Sequence, residues 1–333
     1  MRKYGVIIVT YNRINLLKEC LDKVFSQSYP VSHIIIVDNA SNDKTVEYLK
    51  SLSNEAKVIK VFEDKDGLCV KRNNTKLTLV FNKENKGGAG GFADGVAVAA
   101  EDMELDYVTL IDDDAMLSRD YIENIDHAIE KNIKENNQIK AYSGVVRVDD
   151  TIDTSHRRRV KSKGLARFCE VSEKEYESEY FEYDLTSFCG LTIECELMRK
   201  IGLPKAEYFI RYDDTEYSLR IRKYSKIFNI NKSVINHKTK LMGLDVKASS
   251  EADFFKLYHD VRNRIDMARC HLGIMSVVIL YTRAIIQIIL NSIMSIVTLF
   301  HNKENRCYHK NMVKCYKNAV KDAKKLKHGK FKE

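Results

Sequence analysis

The sequence predicts an α/β protein, with a mostly parallel central sheet carrying helices on both faces and a C-terminal helical region after it. Three observations predict it. Four runs, YGVIIVT (4–10), HIIIVD (33–38), LTLVF (77–81) and YVTLID (107–112), are apolar with little alternation, as strands buried on both faces are. The stretches between them carry apolar residues at helical spacing. Each run leads into polar residues, so polar chemistry collects at the carboxyl edge of the sheet, where open α/β sheets bind ligands.

The first run leads into 12–27, with apolar residues at 14, 16, 17, 20, 21, 24 and 25, a helical stripe. The second leads into 41–52, which opens on the capping residues Ser41, Asn42 and Asp43. The third precedes Gly87, Gly88, Gly90 and Gly91, then a helix predicted over 90–103. The fourth ends on Asp112-Asp113-Asp114. Residues 141–240 are less regular. AYSGVVRV reads as a strand, TSFCGLTIECELMRKIG as a strand and helix, YFIRYDDTEYSLRIRK as a loop entering a helix, and KIFNINKSVINHK as strands ending at His237. Charged residues 150–181 read as a flexible surface loop, and the chain is helical from about 251.

Composition narrows the class. The chain has 333 residues, room for a large domain with an appendage. Its only prolines are Pro30 and Pro204, which excludes a Pro-rich linker. Eight scattered cysteines without a C-x-x-C pair fit a reducing, cytoplasmic setting. The apolar run Val6 to Val9 is too short for a signal-peptide core. The net charge of +8 lies in the tail: residues 303–333 hold eleven Lys/Arg against three acids, and the rest is balanced at 44 of each sign. A tail-specific anionic partner is therefore expected, not a basic active-site face, and nucleic acid is not an expected partner. Residues 272–300 are long enough to span a bilayer, which takes about 20 residues. However, Arg283, Gln287, Asn291 and Ser295 form one polar stripe that suits a single span poorly. The expectation is peripheral attachment to the inner face of the cell membrane, with 272–333 on anionic lipid. A buried helix or a homo-oligomer interface is the competing reading.

Several motifs can carry chemistry. Asp112-Asp113-Asp114 at a strand end repel one another unless a cation binds, and a hard divalent ion takes oxygen ligands. Asp112 and Asp114 share one side of an extended segment, leaving Asp113 for another partner such as a ribose. A solvated acidic turn is the plainer alternative. Asp213, Asp214 and Glu216 open a helical pattern and are either caps or the source of a general base. In YHDVRNRI (258–265), Arg262 marks either a polar helix face or a contact to phosphate or a lipid headgroup. Gly88-Ala-Gly-Gly-Phe-Ala93 spells the dinucleotide fingerprint, with Asp112 about 20 residues beyond. That would suit an NAD-dependent oxidoreductase, but the glycines do not follow their strand directly and sit in the third strand–helix unit.

The ordered set VTYNR, VDNASND, NKGGAGGF, LIDDD, YDDTEYSLR and a later NH resembles the family 2 glycosyltransferases of GT-A fold. The closer likeness is to the bacterial galactofuranosyltransferase-like and rhamnosyltransferase-like branch, over roughly 4–265. The resemblance implies a GT-A domain at 1–245, with a nucleotide-binding half (1–115) and an acceptor half (116–245), and a helical region at 246–333 ending in a basic tail (303–333). It implies that Thr10, Tyr11, Asn12 and Arg13 line the uridine pocket, that Asp38 contacts base or ribose, and that Asn85 and Gly88 border nucleotide and sugar. Asp112, Asp114 and His237 would bind Mn²⁺ or Mg²⁺, Asp113 the ribose or sugar, and Asp214 would be the general base. The implied reaction is inverting, metal-dependent transfer of a sugar, galactofuranose first and rhamnose or another hexose second. It runs from a UDP-sugar to a glycan or lipid-linked glycan in cell-surface polysaccharide synthesis. Phe92 and Ala93 depart from the Arg and Asn that many members place there.

Overall fold

The computed structural model describes residues 1–52, 57–62, 65–72, 75–238, 251–298 and 303–324. The first half alternates as expected: β1 (Tyr4–Thr10), α1 (Ile14–Phe25), β2 (Val31–Asp38), α2 (Thr45–Ser51), β3 (Lys57–Phe62), β4 (Lys65–Arg72), β5 (Thr75–Phe81), α3 (Gly87–Glu101), β6 (Tyr107–Asp112) and β7 (Ala115–Leu117). Then come α4 (Tyr121–Lys134), β8 (Ala141–Val148), β9 (Thr151–Ile152), β10 (Arg157–Ser162), β11 (Arg167–Glu170), β12 (Tyr180–Tyr183), β13 (Leu185–Thr186), β14 (Leu191–Glu194), α5 (Cys195–Ile201), α6 (Asp213–Ile221) and β15 (Ile227–His237). Three helices follow: α7 (Glu251–His271), α8 (Ile274–Val297) and α9 (Lys303–Ala323).

The main sheet runs β12-β15-β8-β14-β6-β1-β2-β5-β4-β3. Its centre, β6-β1-β2-β5, is parallel. Strand β14 is antiparallel to both neighbours, β6 and β8. Alternate residues of the same strands feed two cores, which is why the runs are apolar throughout. Val6, Ile8, Ile34 and Ile36 pack with Leu17 and Leu21 of α1 and Ile122 and Ile125 of α4. Ile7, Val9, Ile35 and Val37 pack on the other face with Phe92 and Val96 of α3 and Leu197 and Tyr217 beyond. Each fully buried aliphatic side chain is worth about 1.5–3 kcal/mol.

Two expectations need correction. The glycines do not form a loop ahead of a helix at 90: α3 begins at Gly87, and the glycines are its first turns. Without Cβ atoms, Gly91 and Gly95 let this helix lie directly on Val9 and Ile7 of β1. Strands β3 and β4, which were not expected, pair antiparallel at the sheet edge. Residues 150–181 are ordered: β10 pairs with β11 and β13 in a small second sheet.

That segment is anchored by Arg157, whose side chain is fully buried. It donates to Asn229 Oδ1 and to the carbonyls of His156, Gly144 and Cys189. The boundary expected at 245 lies outside the described residues. On its far side α7 is tied to the sheet domain by Lys205, whose Nζ donates to Asp266 Oδ2 at 2.5 Å.

Arg157→Leu strands four buried acceptors, so it should destabilise the fold by about 3 kcal/mol or more. Urea unfolding followed by circular dichroism measures this, and a loss below about 1 kcal/mol would show that the guanidinium is not the anchor.

Candidate active site

The parallel register lines up the strand ends. Thr10 lies opposite Asp38, Asp38 opposite Phe81, and Val9 opposite Asp112. The ladder continues past the strands, with Asn39 N donating to Thr10 O, Asn82 N to Asp38 O, and Asp113 N to Val9 O. This edge opens into a cleft of about 260 Å³ lined by Val9, Thr10, Tyr11, Arg13, Asn39, Asn85, Gly87, Gly88, Asp112, Asp113, Phe209 and Ile210.

The three aspartates are not equivalent. Asp113 is buried, accepts from Thr10 Oγ1 at 2.7 Å, and meets Arg13 Nη1 at 3.3 Å. Burial holds its carboxyl up at about 6, against the opposing pull of Thr10 and Arg13. Asp114 accepts from the same Arg13 Nη1 at 2.7 Å and lies 3.1 Å from His237 Nε2. Burial would raise it, but the hydrogen bond and charge of His237, with Arg13, hold it below the usual carboxylate range. Asp112 is pushed up to about 7 by burial and then by its two acidic neighbours. His237 reaches the cluster because β15 pairs with β7, placing His237 opposite Ala115. Burial disfavours its charge, yet Asp114 raises it above the ordinary imidazole value. Its Nδ1 is buried with no hydrogen-bond partner among the described residues.

Two carboxylates and an imidazole are a donor set that suits Mn²⁺ or Mg²⁺, the imidazole favouring the softer Mn²⁺. The burial and mutual repulsion that raise Asp112, and the unpartnered His237 nitrogen, both fit a cation at this place. Among the described residues no three His, Cys, Asp or Glu groups already converge as a metal cluster. Arg13 supplies charge to Asp113 and Asp114 together.

The glycine-rich turn has a definite cause. Gly87 has φ +69°, and a Cβ there would lie 2.0 Å from the Phe209 carbonyl oxygen. That oxygen accepts from Ala89 N at 3.1 Å. Asn39 ties the turn to the sheet, donating to Asn85 Oδ1 and Gly87 O and accepting from Asn82 Nδ2 and Lys86 N. A Cβ on Gly88 would meet nothing within 4 Å, so this backbone is open to a ligand in the cleft.

The opposite wall was missed in the sequence. Phe209, Arg211 and Tyr212 all have positive φ, an arrangement without glycine and therefore without a composition signal. It is held by Asn263 of α7, whose Nδ2 lies within 3.0 Å of the carbonyls of Tyr208, Ile210 and Arg211. Arg262 donates to Glu207 O and Tyr208 O. The polar residues of YHDVRNRI thus strap a wall of the cleft, and Arg262 is engaged by the protein itself.

Of the predicted residues, Thr10, Tyr11, Arg13, Asn85, Gly88, Asp112 and Asp113 line the cleft, with Asp114 and His237 behind. Asn12 does not line it; its Oδ1 accepts from Asn42 N and Asp43 N. Asp38 lies under the edge, with Oδ2 accepting from Ser41 N and Oδ1 buried with no hydrogen-bond partner among the described residues. Asp213 and Asp214 open α6. Asp213 is held well above the carboxylate range by burial, then by Asp214 and, more weakly, by Asp112. Asp214 Oδ1 accepts from Thr215 N and Oγ1. Glu216 is spent on Arg220 and His271.

Residues 5–168 match the model of "Glycosyl transferase family 2". The galactofuranosyltransferase GlfT1 of Mycolicibacterium smegmatis is 26% identical over 220 residues, 65% of this chain and 64% of that protein. Glycosyltransferase GlyA of Streptococcus pneumoniae is 26% identical over 124 residues, 37% of this chain but 14% of its own length. The chain thus spans less than two thirds of these relatives. Among solved structures, GalNAc-T7 with UDP, GalNAc and Mn²⁺ superposes with TM-score 0.58 at 13% identity, covering 98% of this chain and 58% of that one. S. aureus TarS 1-349 with UDP-GlcNAc gives 0.53 at 14%, covering 96% and 81%. The dinucleotide reading falls with this topology, since the glycines are helical and the first strand–helix turn, Tyr11 to Arg13, has none. With a family match over residues 5–168 and a GT-A fold around it, the chain carries a glycosyl transferase family 2 domain.

Proposed function

We propose that the chain transfers a sugar, with inversion, from a UDP-sugar to a hydroxyl of a glycan or lipid-linked glycan. The observation that carries this reading is the cleft at the parallel strand ends, where Gly88 leaves space opposite Asp112 and Asp113. Galactofuranose is the proposed sugar, supported by the 220-residue likeness to GlfT1 and the GGAGGF sequence.

In this reading Thr10, Tyr11 and Arg13 receive the nucleotide, with Asp38 offering its unpartnered Oδ1 from beneath. Asp112, Asp114 and His237 would hold the divalent ion, and Asp113 would accept a ribose or sugar hydroxyl. When bound, the ion supplies positive charge to the diphosphate leaving group. Asn85 and Gly88 border the sugar. Asp214 takes the proton from the acceptor hydroxyl as that oxygen attacks the anomeric carbon and UDP departs, the role of a general base. Beside it, burial and then Asp214 raise the Asp213 carboxyl above the usual carboxylate range.

Asp214→Asn should lower transfer by about 10²–10⁴-fold while UDP binding survives. The same loss from Asp213→Asn, with Asp214→Asn active, would move the role one residue back. Ligation requires deprotonated donors, so affinity for Mn²⁺ measured by calorimetry should fall as pH drops below about 7, where Asp112 takes up its proton. Asp112→Asn should weaken Mn²⁺ binding and flatten that pH response; unchanged binding would remove Asp112 as a ligand. In a donor-hydrolysis screen, UDP-galactofuranose should be cleaved in preference to UDP-galactopyranose, UDP-glucose, UDP-GlcNAc and dTDP-rhamnose. Preference for another donor would retain the reaction and replace the sugar.

A further inference from the structure

Helix α8 is packed inside out. Its buried residues are Ser276, Leu280, Ala284 and Asn291, whereas Met275, Val278, Ile286, Ile289, Ile293 and Ile296 are exposed. Ile274 is 78% and Ile296 69% exposed. The helix is apolar and long enough to cross a membrane, yet only 22% of its most apolar window is buried. A contiguous apolar face of this length on a soluble surface marks an interaction site.

The charges around that face indicate what covers it. On α9, Lys310, Lys314, Lys317, Lys321 and Lys324 are all exposed and recur at alternating spacings of four and three, which puts them on one side of the helix. Helix α9 returns alongside α8: His309 Nδ1 meets Asn291 Oδ1 at 2.8 Å, and Lys324 Nζ lies 5.9 Å from the Tyr281 ring centroid. At the start of α8, Gly164 approaches Met275 within a loop that exposes Leu165 and Lys163. Lys161, Lys163 and Lys223 line a second cleft there with His271.

We propose that α8 lies in the headgroup region of an anionic bilayer, its apolar face in the acyl boundary, with the α9 lysines and Lys161 and Lys163 contributing contacts to lipid phosphates. A span is disfavoured because α9 is packed along α8 and would carry its lysines into hydrocarbon. A symmetric dimer through α8 would set the same lysine-rich surface against itself. This docking goes beyond the transfer reaction and does not depend on it.

Flotation of the full chain with vesicles tests it. The chain should bind phosphatidylglycerol vesicles, bind phosphatidylcholine vesicles far less, and wash off in alkaline carbonate. Ile286→Glu combined with Ile289→Glu and Ile293→Glu should abolish binding without changing the melting temperature, because these side chains face outward. Lys314→Gln, Lys317→Gln and Lys321→Gln should each lower the partition coefficient by about fivefold at low salt. Equal binding to both lipids, retention by the triple glutamate variant, or resistance to carbonate would each overturn the proposal. So would a soluble dimer that the triple variant dissociates and that ignores vesicles, which would assign the face to a second copy.

Discussion

Three adjacent carboxylates at the end of a buried strand repel one another, and the fold offsets this with compensation from elsewhere in the chain. Here it comes from both directions: Arg13 lies 100 residues from Asp113, and His237 lies 123 residues from Asp114. The first is placed by the β1–β6 register and the second by the β15–β7 pairing. The acidic cluster is therefore where the two halves of the sheet domain meet, and its electrostatics depend on every strand between them being in register. Removing one cation would leave buried negative charge, which is far costlier than losing a surface pair.

Within that frame the sequence was legible wherever burial imposed a period. The four central strands and the helices between them follow from unbroken apolar runs and helical spacing, because strands covered on both faces have no polar side to show. Asp112–Asp114 and the 213–216 acids were legible because carboxylates clustered at element ends are conspicuous. The conformation of residues 208–212 was not, because its positive φ values fall on Phe209, Arg211 and Tyr212, residues that give no turn signal. Residues 150–181 look solvent-exposed by composition, yet Arg157 within them is fully buried. Backbone carbonyls satisfy it, and carbonyls are invisible in a residue pattern.

The glycine-rich stretch shows the same difference between letters and geometry. By spelling it is a phosphate-binding loop; in the structure it is the first turns of α3, and its glycines solve separate problems. Gly87 yields to the Phe209 carbonyl, Gly91 and Gly95 let the helix rest on β1, and Gly88 alone faces free space. Only the last is free to serve a ligand.

The grip of Asn263 on the carbonyls of residues 208, 210 and 211 has a wider consequence. One wall of the cleft is shaped by a side chain that belongs to the C-terminal helices, so those helices are not an appendage that can be trimmed away. A chain cut ahead of α7 would keep the strand ends and the acidic cluster but lose the brace on the far wall. Recombination that exchanged the helical region between relatives would reshape that wall of the cleft in the same stroke, so the two parts of the molecule are constrained to evolve as one.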